Sequence, residues 1–265
     1  MSLALTILGC GSSGGVPRVA QGWGACDPAN PRNRRRRCSV LVEREGEGGR
    51  TSVLVDTSPD LREQLLGAGV DRLDGVLMTH SHADHTHGID DLRPLVMAMR
   101  KRIGIHMDEA TSRVVRRAFS YLFEAPPGSL YPALLNEDRL IAGQSAQIEG
   151  AGGSIEALPF RLDHGDIPSL GFRFGALAYT PDLKAIPDES VPFLEDLDAW
   201  IIGGLRYKPH PTHFSVDEAL AWIARMRPRQ AVITNLHTDL DYEELNARLP
   251  TNVTPAYDGL RIAGF

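Results

Sequence analysis

Cysteine is scarce in this chain of 265 residues, where Cys10, Cys26 and Cys38 are the full complement. Three widely spaced thiols build neither a disulfide framework nor a C-x-x-C zinc knuckle, which fits a reducing, cytoplasmic setting. Long apolar runs are also missing. None approaches the length of about 20 residues that a membrane-spanning helix needs, and Met1 to Leu8 lacks the basic stretch of a secretory leader. Positive charge is in deficit, with 28 Lys and Arg against 34 Asp and Glu and a net charge of −6. That balance argues against an extended nucleic-acid partner, which calls for a basic field across a whole face.

What is present is an ordinary globular composition, 42% hydrophobic and 23% charged, sufficient for a large α/β domain. Strands are predicted at Leu3–Leu8, Cys38–Glu43, Thr51–Asp56 and Asp74–Thr79, and later at Ser154–Leu162, Leu170–Phe174, Leu177–Thr180, Ala199–Ile202 and Gln230–Asn235. Helices are predicted after Ser58-Pro59, which reads as an N-cap with proline at the first helical position. Further helices are expected around Ile89–Met99, over Asp108–Phe123 with Val114, Val115, Ala118, Phe119 and Leu122 on one side, over Ser215–Met226 and over Asp241–Leu249. Ser215-Val216-Asp217-Glu218 has the form of a capping box. No low-complexity linker divides the chain, so one domain over residues 1–265, built of two similar halves, is expected. The stretch Gly9 to Arg37 is too long for a simple connector, and loops of that length tend to carry function or to be disordered.

The chemistry is concentrated at His80-Ser81-His82-Ala83-Asp84-His85, three imidazoles and a carboxylate within six residues, directly after a short apolar segment. A purification tag would be terminal and uniform, whereas this cluster is internal and mixed. Three further candidates each follow an apolar segment: His164, Asp182 and His237. Hydrolysis at two metals held roughly 3.5–4 Å apart needs donors from distant parts of the chain, because one loop cannot surround both ions. His87 and His106 fall outside this pattern.

The order H-x-H-x-D-H, then His, then Asp, then His resembles the metallo-β-lactamase fold superfamily, and Val53-Leu54-Val55-Asp56-Thr57 resembles the strand that precedes its metal motif. The resemblance implies an α/β four-layer αββα sandwich with the site at one edge of the two sheets. It places His80, His82 and His164 on one ion, Asp84, His85 and His237 on the other, and Asp182 between them. Two divalent ions, Zn or Mn, suit such donors. His82 stands where related redox di-iron proteins carry a glutamate, which favours hydrolysis.

Within the superfamily, Gly9-Cys10-Gly11-Ser12-Ser13-Gly14-Gly15-Val16-Pro17 resembles the glycine-rich opening of the phosphodiesterase branch, which includes tRNA 3′-processing enzymes and the cyclic-phosphate phosphodiesterases of phosphonate breakdown. Such a loop lets the backbone, with Ser12 and Ser13, approach a metal centre or phosphate. The segment Leu205 to Ser215 resembles the region that supplies an extra, non-ligand histidine in that branch. His213 is the first candidate and His210 the second, with Arg206 and Lys208 as cations for the substrate. His164 and Asp182 are 18 positions apart, which leaves no room for the long arm of the tRNA-processing enzymes. The phosphonate-pathway group remains, aimed at a small phosphodiester or nucleotide-like substrate, and relatives of this kind are often homodimers. The chain departs from that group in its first loop, where Cys26 stands alone in place of clustered zinc-binding cysteines. Arg32 and Arg34 to Arg37 form a dense basic run that either gathers phosphate or serves the structure, one arginine pairing inside and the others facing solvent.

The expected reaction is attack of hydroxide on phosphorus, with Asp84 and Asp182 orienting the nucleophile and His213 assisting the departing oxygen. Two rivals are thioester or lactam hydrolysis on the same scaffold, and a metal-centred protein that binds a nucleotide without turnover.

Overall fold

A computed structural model describes residues 3–125 and 127–264. The first sheet runs β14-β1-β2-β3-β4-β5-β6, from strands β1 (Leu3–Gly9), β2 (Ser39–Gly46), β3 (Gly49–Val55), β4 (Gly75–Leu77), β5 (Ile103–Met107), β6 (Leu135–Arg139) and β14 (Arg261–Ala263). The second runs β13-β12-β11-β10-β9-β8-β7, from β7 (Ala146–Ile148), β8 (Ile155–Asp163), β9 (Pro168–Phe174), β10 (Leu177–Thr180), β11 (Ala199–Gly203), β12 (Gln230–Thr234) and β13 (Val253–Pro255). The sheets mirror one another. In each, antiparallel hairpin strands give way to a parallel set, β3 to β6 in one and β10 to β13 in the other.

Strands covered on both faces need apolar residues at successive positions rather than at every second one, and the sequence supplies them. Val40, Val42, Val53, Val55, Tyr179, Ile201 and Val232 meet between the sheets, while Leu41, Leu54, Trp200, Ile202, Ala231 and Ile233 face outward into two further clusters. Fully burying each such aliphatic side chain is worth about 1.5–3 kcal/mol. Helices α1 (Leu61–Gly67), α2 (Ala83–Thr86), α3 (Arg93–Met99), α4 (Glu109–Ala118) and α5 (Ser120–Phe123) accompany the first sheet, and α6 (Val216–Met226) and α7 (Tyr242–Arg248) the second. Leu61, Leu95, Val115 and Leu122 seal one outer face and Val216, Ala219, Ile223 and Leu245 the other, which gives the αββα layering expected. Among the described residues no helix is long and apolar enough to cross a membrane.

Several local expectations need correction. The N-cap of α1 is Asp60; Ser58 instead accepts from the Asp60 backbone N–H through its hydroxyl at 3.1 Å. The helix expected over 89–99 divides into a 3-10 turn, Ile89–Leu92, and α3, with proline at the start of the latter. The expected 108–123 helix breaks at Phe119, and α4 turns Val115 inward while Val114 is left exposed. The Ser215 capping box is present on α6. Strands β5, β6, β7, β13 and β14 were not expected. They are three to five residues long, and β6 buries only Leu135, so their apolar pattern is too short to read.

Candidate metal centre

The chemistry is carried by loops that leave strand ends in both sheets, as is usual at the carboxyl ends of strands in α/β proteins. The turn after β4 carries His80 to His85, β8 leads into His164, β10 into Asp182, β11 into the 204–215 loop and β12 into Asn235 and His237. Two groups of donors converge. His80, His82, His164 and Asp182 present ligand atoms within 4.8 Å of one another, as do Asp84, His85 and Asp182.

Spacing within these groups fits a cation. His82 Nδ1 is 3.0 Å from His80 Nε2 and 3.3 Å from His164 Nε2. Asp182 Oδ2 is 3.6 Å from His164 Nε2, 3.7 Å from His80 Nε2 and 3.6 Å from His85 Nε2, which is itself 3.5 Å from Asp84 Oδ2. Four donors each about 2.0–2.1 Å from a tetrahedral ion stand about 3.4 Å apart. One oxygen, Asp182 Oδ2, belongs to both groups.

Neighbouring groups fix which nitrogen faces the centre. His164 Nδ1 donates to the Thr212 carbonyl at 2.8 Å. The Thr79 hydroxyl donates to Asp56 Oδ2 at 2.8 Å and accepts from His80 Nδ1 at 2.9 Å. His85 Nδ1 donates to Asp56 Oδ2 at 2.7 Å. The Nε2 lone pairs of His80, His85 and His164 are thereby directed at the centre, the arrangement that outer partners impose on metal-ligating histidines. Asp56 is fully buried and also accepts from the Thr79 backbone N–H at 2.8 Å. Three donors on one carboxyl mark it as ionised, although burial pushes its pKa upward.

Electrostatics favour donor forms. Burial holds His80 well below the usual imidazole range, and His82 below it, so both keep free lone pairs at neutral pH. Burial works against the charge on Asp182, but His85, then His80 and His213, outweigh it and hold the carboxyl well below its ordinary range. His85 is the exception among the imidazoles: burial would lower it, yet Asp182, Asp56 and Asp84 together raise it well above the usual value. A positive charge is therefore favoured where the second group lies. Neutral imidazoles and ionised carboxylates are the ligand forms that divalent ions take.

A cavity of about 430 Å³ opens over the centre, lined by Asp84 and Asp182 together with Ser12, Ser13, Arg18, Arg206, His210, His213, Asn235 and His237. His213 Nδ1 is 4.0 Å from Asp182 Oδ2, and burial lowers its pKa to about 4, which leaves a neutral ring. Arg206 spends donors on the Lys208 and Pro209 carbonyls. Lys208 is exposed and outside the lining residues, so the expected second cation does not reach the cavity. His237 departs further from expectation. It lines the cavity but belongs to neither donor group, because its Nε2 accepts from Arg18 Nη1 at 2.5 Å and its Nδ1 donates to Asp239 Oδ1 at 3.0 Å. Toward the carboxyl shared by the two donor groups it is Asn235 that reaches, its Nδ2 donating to Asp182 Oδ1 at 2.5 Å.

The basic run resolves into structure. Arg35 is buried and donates to the Leu240 and His237 carbonyls, Arg37 pairs with Asp60 at 2.9 Å, and Arg32 and Arg34 are exposed. Cys26 packs against the Thr238 and Leu240 carbonyls, and neither donor group includes a cysteine. The sequence reading missed Asp56 as a support, Thr79, Arg18 and Asn235. Asp56 alone carried a signal, as a carboxylate at a strand end in the segment that precedes the motif.

The family described as beta-lactamase superfamily domain matches residues 51–235. A crystal structure of a new diphosphatase from the PhnP family superposes with a TM-score of 0.87 at 34% identity, covering 98% of this chain and 97% of the other. An octanoyltransferase of Porphyromonas gingivalis is 33% identical over 259 residues, 96% of this chain and 50% of that protein. A ribonuclease Z of Bradyrhizobium diazoefficiens is 32% identical over 151 residues, 54% of this chain and 46% of that one. The chain thus spans about half the length of these curated relatives.

Proposed function

This chain belongs to the beta-lactamase superfamily, and from that premise we propose that it hydrolyses a small phosphodiester, cyclic or nucleotide-like, with two divalent ions, Zn or Mn. The observation that carries this reading is the shared oxygen: Asp182 Oδ2 sits between two donor groups on the floor of a cavity walled by arginine and histidine. The similarity to a diphosphatase and to ribonuclease Z points to phosphorus rather than carbon as the centre attacked. The similarity to an octanoyltransferase favours no second reading, since it covers only 50% of that protein.

His80, His82, His164 and Asp182 would hold one ion, and Asp84, His85 and Asp182 the other. Bound there, the ions would supply Lewis acidity and bring the pKa of water from 15.7 toward about 7. The remaining work falls to the chain. Asp84 accepts a hydrogen bond from the attacking water and so orients it, while Asn235 keeps Asp182 turned with Oδ2 inward. His213 donates a hydrogen bond from its neutral ring to the departing oxygen, where negative charge grows. Ser13, His210 and Arg206 contact the phosphate and its ester groups from the cavity wall, with Ser12 beside them.

The test is metal content per chain, measured together with turnover of a panel of bis(p-nitrophenyl) phosphate, cyclic ribose phosphates, cyclic nucleotides and dinucleotides. Two ions and hydrolysis of at least one phosphodiester are expected. Protein that binds two ions and cleaves none, yet hydrolyses a glutathione thioester or a chromogenic lactam, would reject the reading.

A further inference from the structure

We infer that Arg18 and Ser12, with His237 as the support of Arg18, form an anion subsite next to the metal donors, so that the preferred ligand carries a second phosphoryl group. The inference rests on the phosphodiesterase reading and names the substrate class more closely. Arg18 lines the cavity, and among the described residues no carboxylate pairs with it. Its one side-chain hydrogen bond goes to His237 Nε2. A guanidinium offers five N–H donors in a planar fork that matches phosphate, so most of this fork is left for a ligand.

The placement is built rather than incidental. The Arg18 backbone is held in a turn, with Arg18 N donating to Gly22 O and Gly22 N donating to Arg18 O, both at 2.8 Å. A Cβ at position 14 would lie 2.2 Å from Arg18 Nε, so Gly14 leaves the space that the side chain crosses. Asp239 fixes Nδ1 of His237 and thereby turns Nε2 toward Arg18. Arg35, donating to the His237 carbonyl at 3.3 Å, ties this turn to the first loop. A second observation points to the same ligand. Ser12 is 3% exposed, lines the same cavity, and its hydroxyl has no hydrogen-bond partner. A buried hydroxyl without a partner is costly unless something binds to it. One phosphoryl group on the metal donors and the next on Arg18 and Ser12 would engage both sets of residues that line the cavity.

The experiment is calorimetric titration of the full chain, reconstituted with metal, using adenosine 5′-monophosphate and the non-hydrolysable α,β-methylene adenosine 5′-diphosphate as probes, with metal content measured alongside. Wild-type protein is expected to bind the diphosphate about tenfold or more tightly than the monophosphate, the range of one charge-assisted contact. R18A should lose that preference with monophosphate affinity little changed, and R18K, which keeps the charge without the fork, should fall between. H237A should retain as many ions per chain as wild type while losing part of the preference. Equal affinities in wild type, an R18A that weakens both probes alike, or loss of an ion from H237A would overturn the inference. Binding is read without turnover, so protein that prefers the diphosphate yet hydrolyses no phosphodiester would keep the subsite and defeat the activity.

Discussion

The two halves supply the centre in opposite ways. The first delivers His80 and His82 from the loop after β4 and Asp84 and His85 from α2, which follows at once, held from behind by Asp56 and Thr79. The second delivers one group at a time, His164 after β8, Asp182 after β10 and Asn235 after β12. A contiguous turn sets its donors by local geometry and one buried support. Dispersed donors depend on the register of a whole mixed sheet, antiparallel at β8 and parallel from β10 to β13, so Asp182, between β10 and β11, is the point at which the second half has most to lose.

The largest effect is expected of Asp182→Ala. It removes the shared oxygen, and a loss of turnover of about a thousandfold or more is expected, with metal content reduced and the circular dichroism spectrum unchanged. Full activity in this variant would mean that the halves do not meet there. The junction between halves is probed by Asp258, whose carboxyl accepts from the Cys10 and Arg36 backbone N–H groups and whose pKa burial raises from 3.8 to about 6. A raised carboxyl favours its protonated form in the folded chain. Its stabilising contribution is therefore complete below about pH 4 and is lost as pH rises through 6, a difference of about 3 kcal/mol. Urea unfolding of wild type and D258N across pH 4 to 7 should show wild type losing ground to the variant over that interval; parallel curves would refute the buried-carboxyl account.

A third effect belongs to the second half alone. His213→Ala should lower kcat about a hundredfold while metal content holds, because the ring touches neither donor group closely enough to ligate; a fall in bound metal would place His213 among the ligands. The smallest expected changes concern the two supports, read as metal dissociation constants. Asp56→Asn should weaken metal binding about 10–100-fold, the usual cost of losing an outer partner. Asn235→Ala, which removes one hydrogen bond to Asp182, should cost about tenfold. If Asn235→Ala cost more than Asp56→Asn, the first half would not be the better-supported side.

Legibility followed the same division. The His80–His85 cluster was readable because contiguity on the chain is contiguity in space within one turn. Strands such as β3 and β11 were readable because apolar residues fill both faces. Val114 and Val115 could not be told apart on α4, since which of two adjacent valines faces the sheet depends on how the helix is docked. His237 was placed by order along the chain, but a rotation at the end of β12 gives its nitrogens to Arg18 and Asp239. Arg18 had no signal at all, because an arginine in a glycine-rich loop gains meaning only from what stands opposite it.

The amino-acid order by itself determined the His80–His85 cluster, the longer strands and the capped helix α6, because these rest on interactions between residues a few positions apart. Tertiary structure alone decided that Asp56 and Asn235 hydrogen-bond His85 and Asp182, that Arg35 is a strut, and that Arg18 faces the cavity. Each of those contacts joins chain segments that only the closing of the two sheets brings within hydrogen-bond reach.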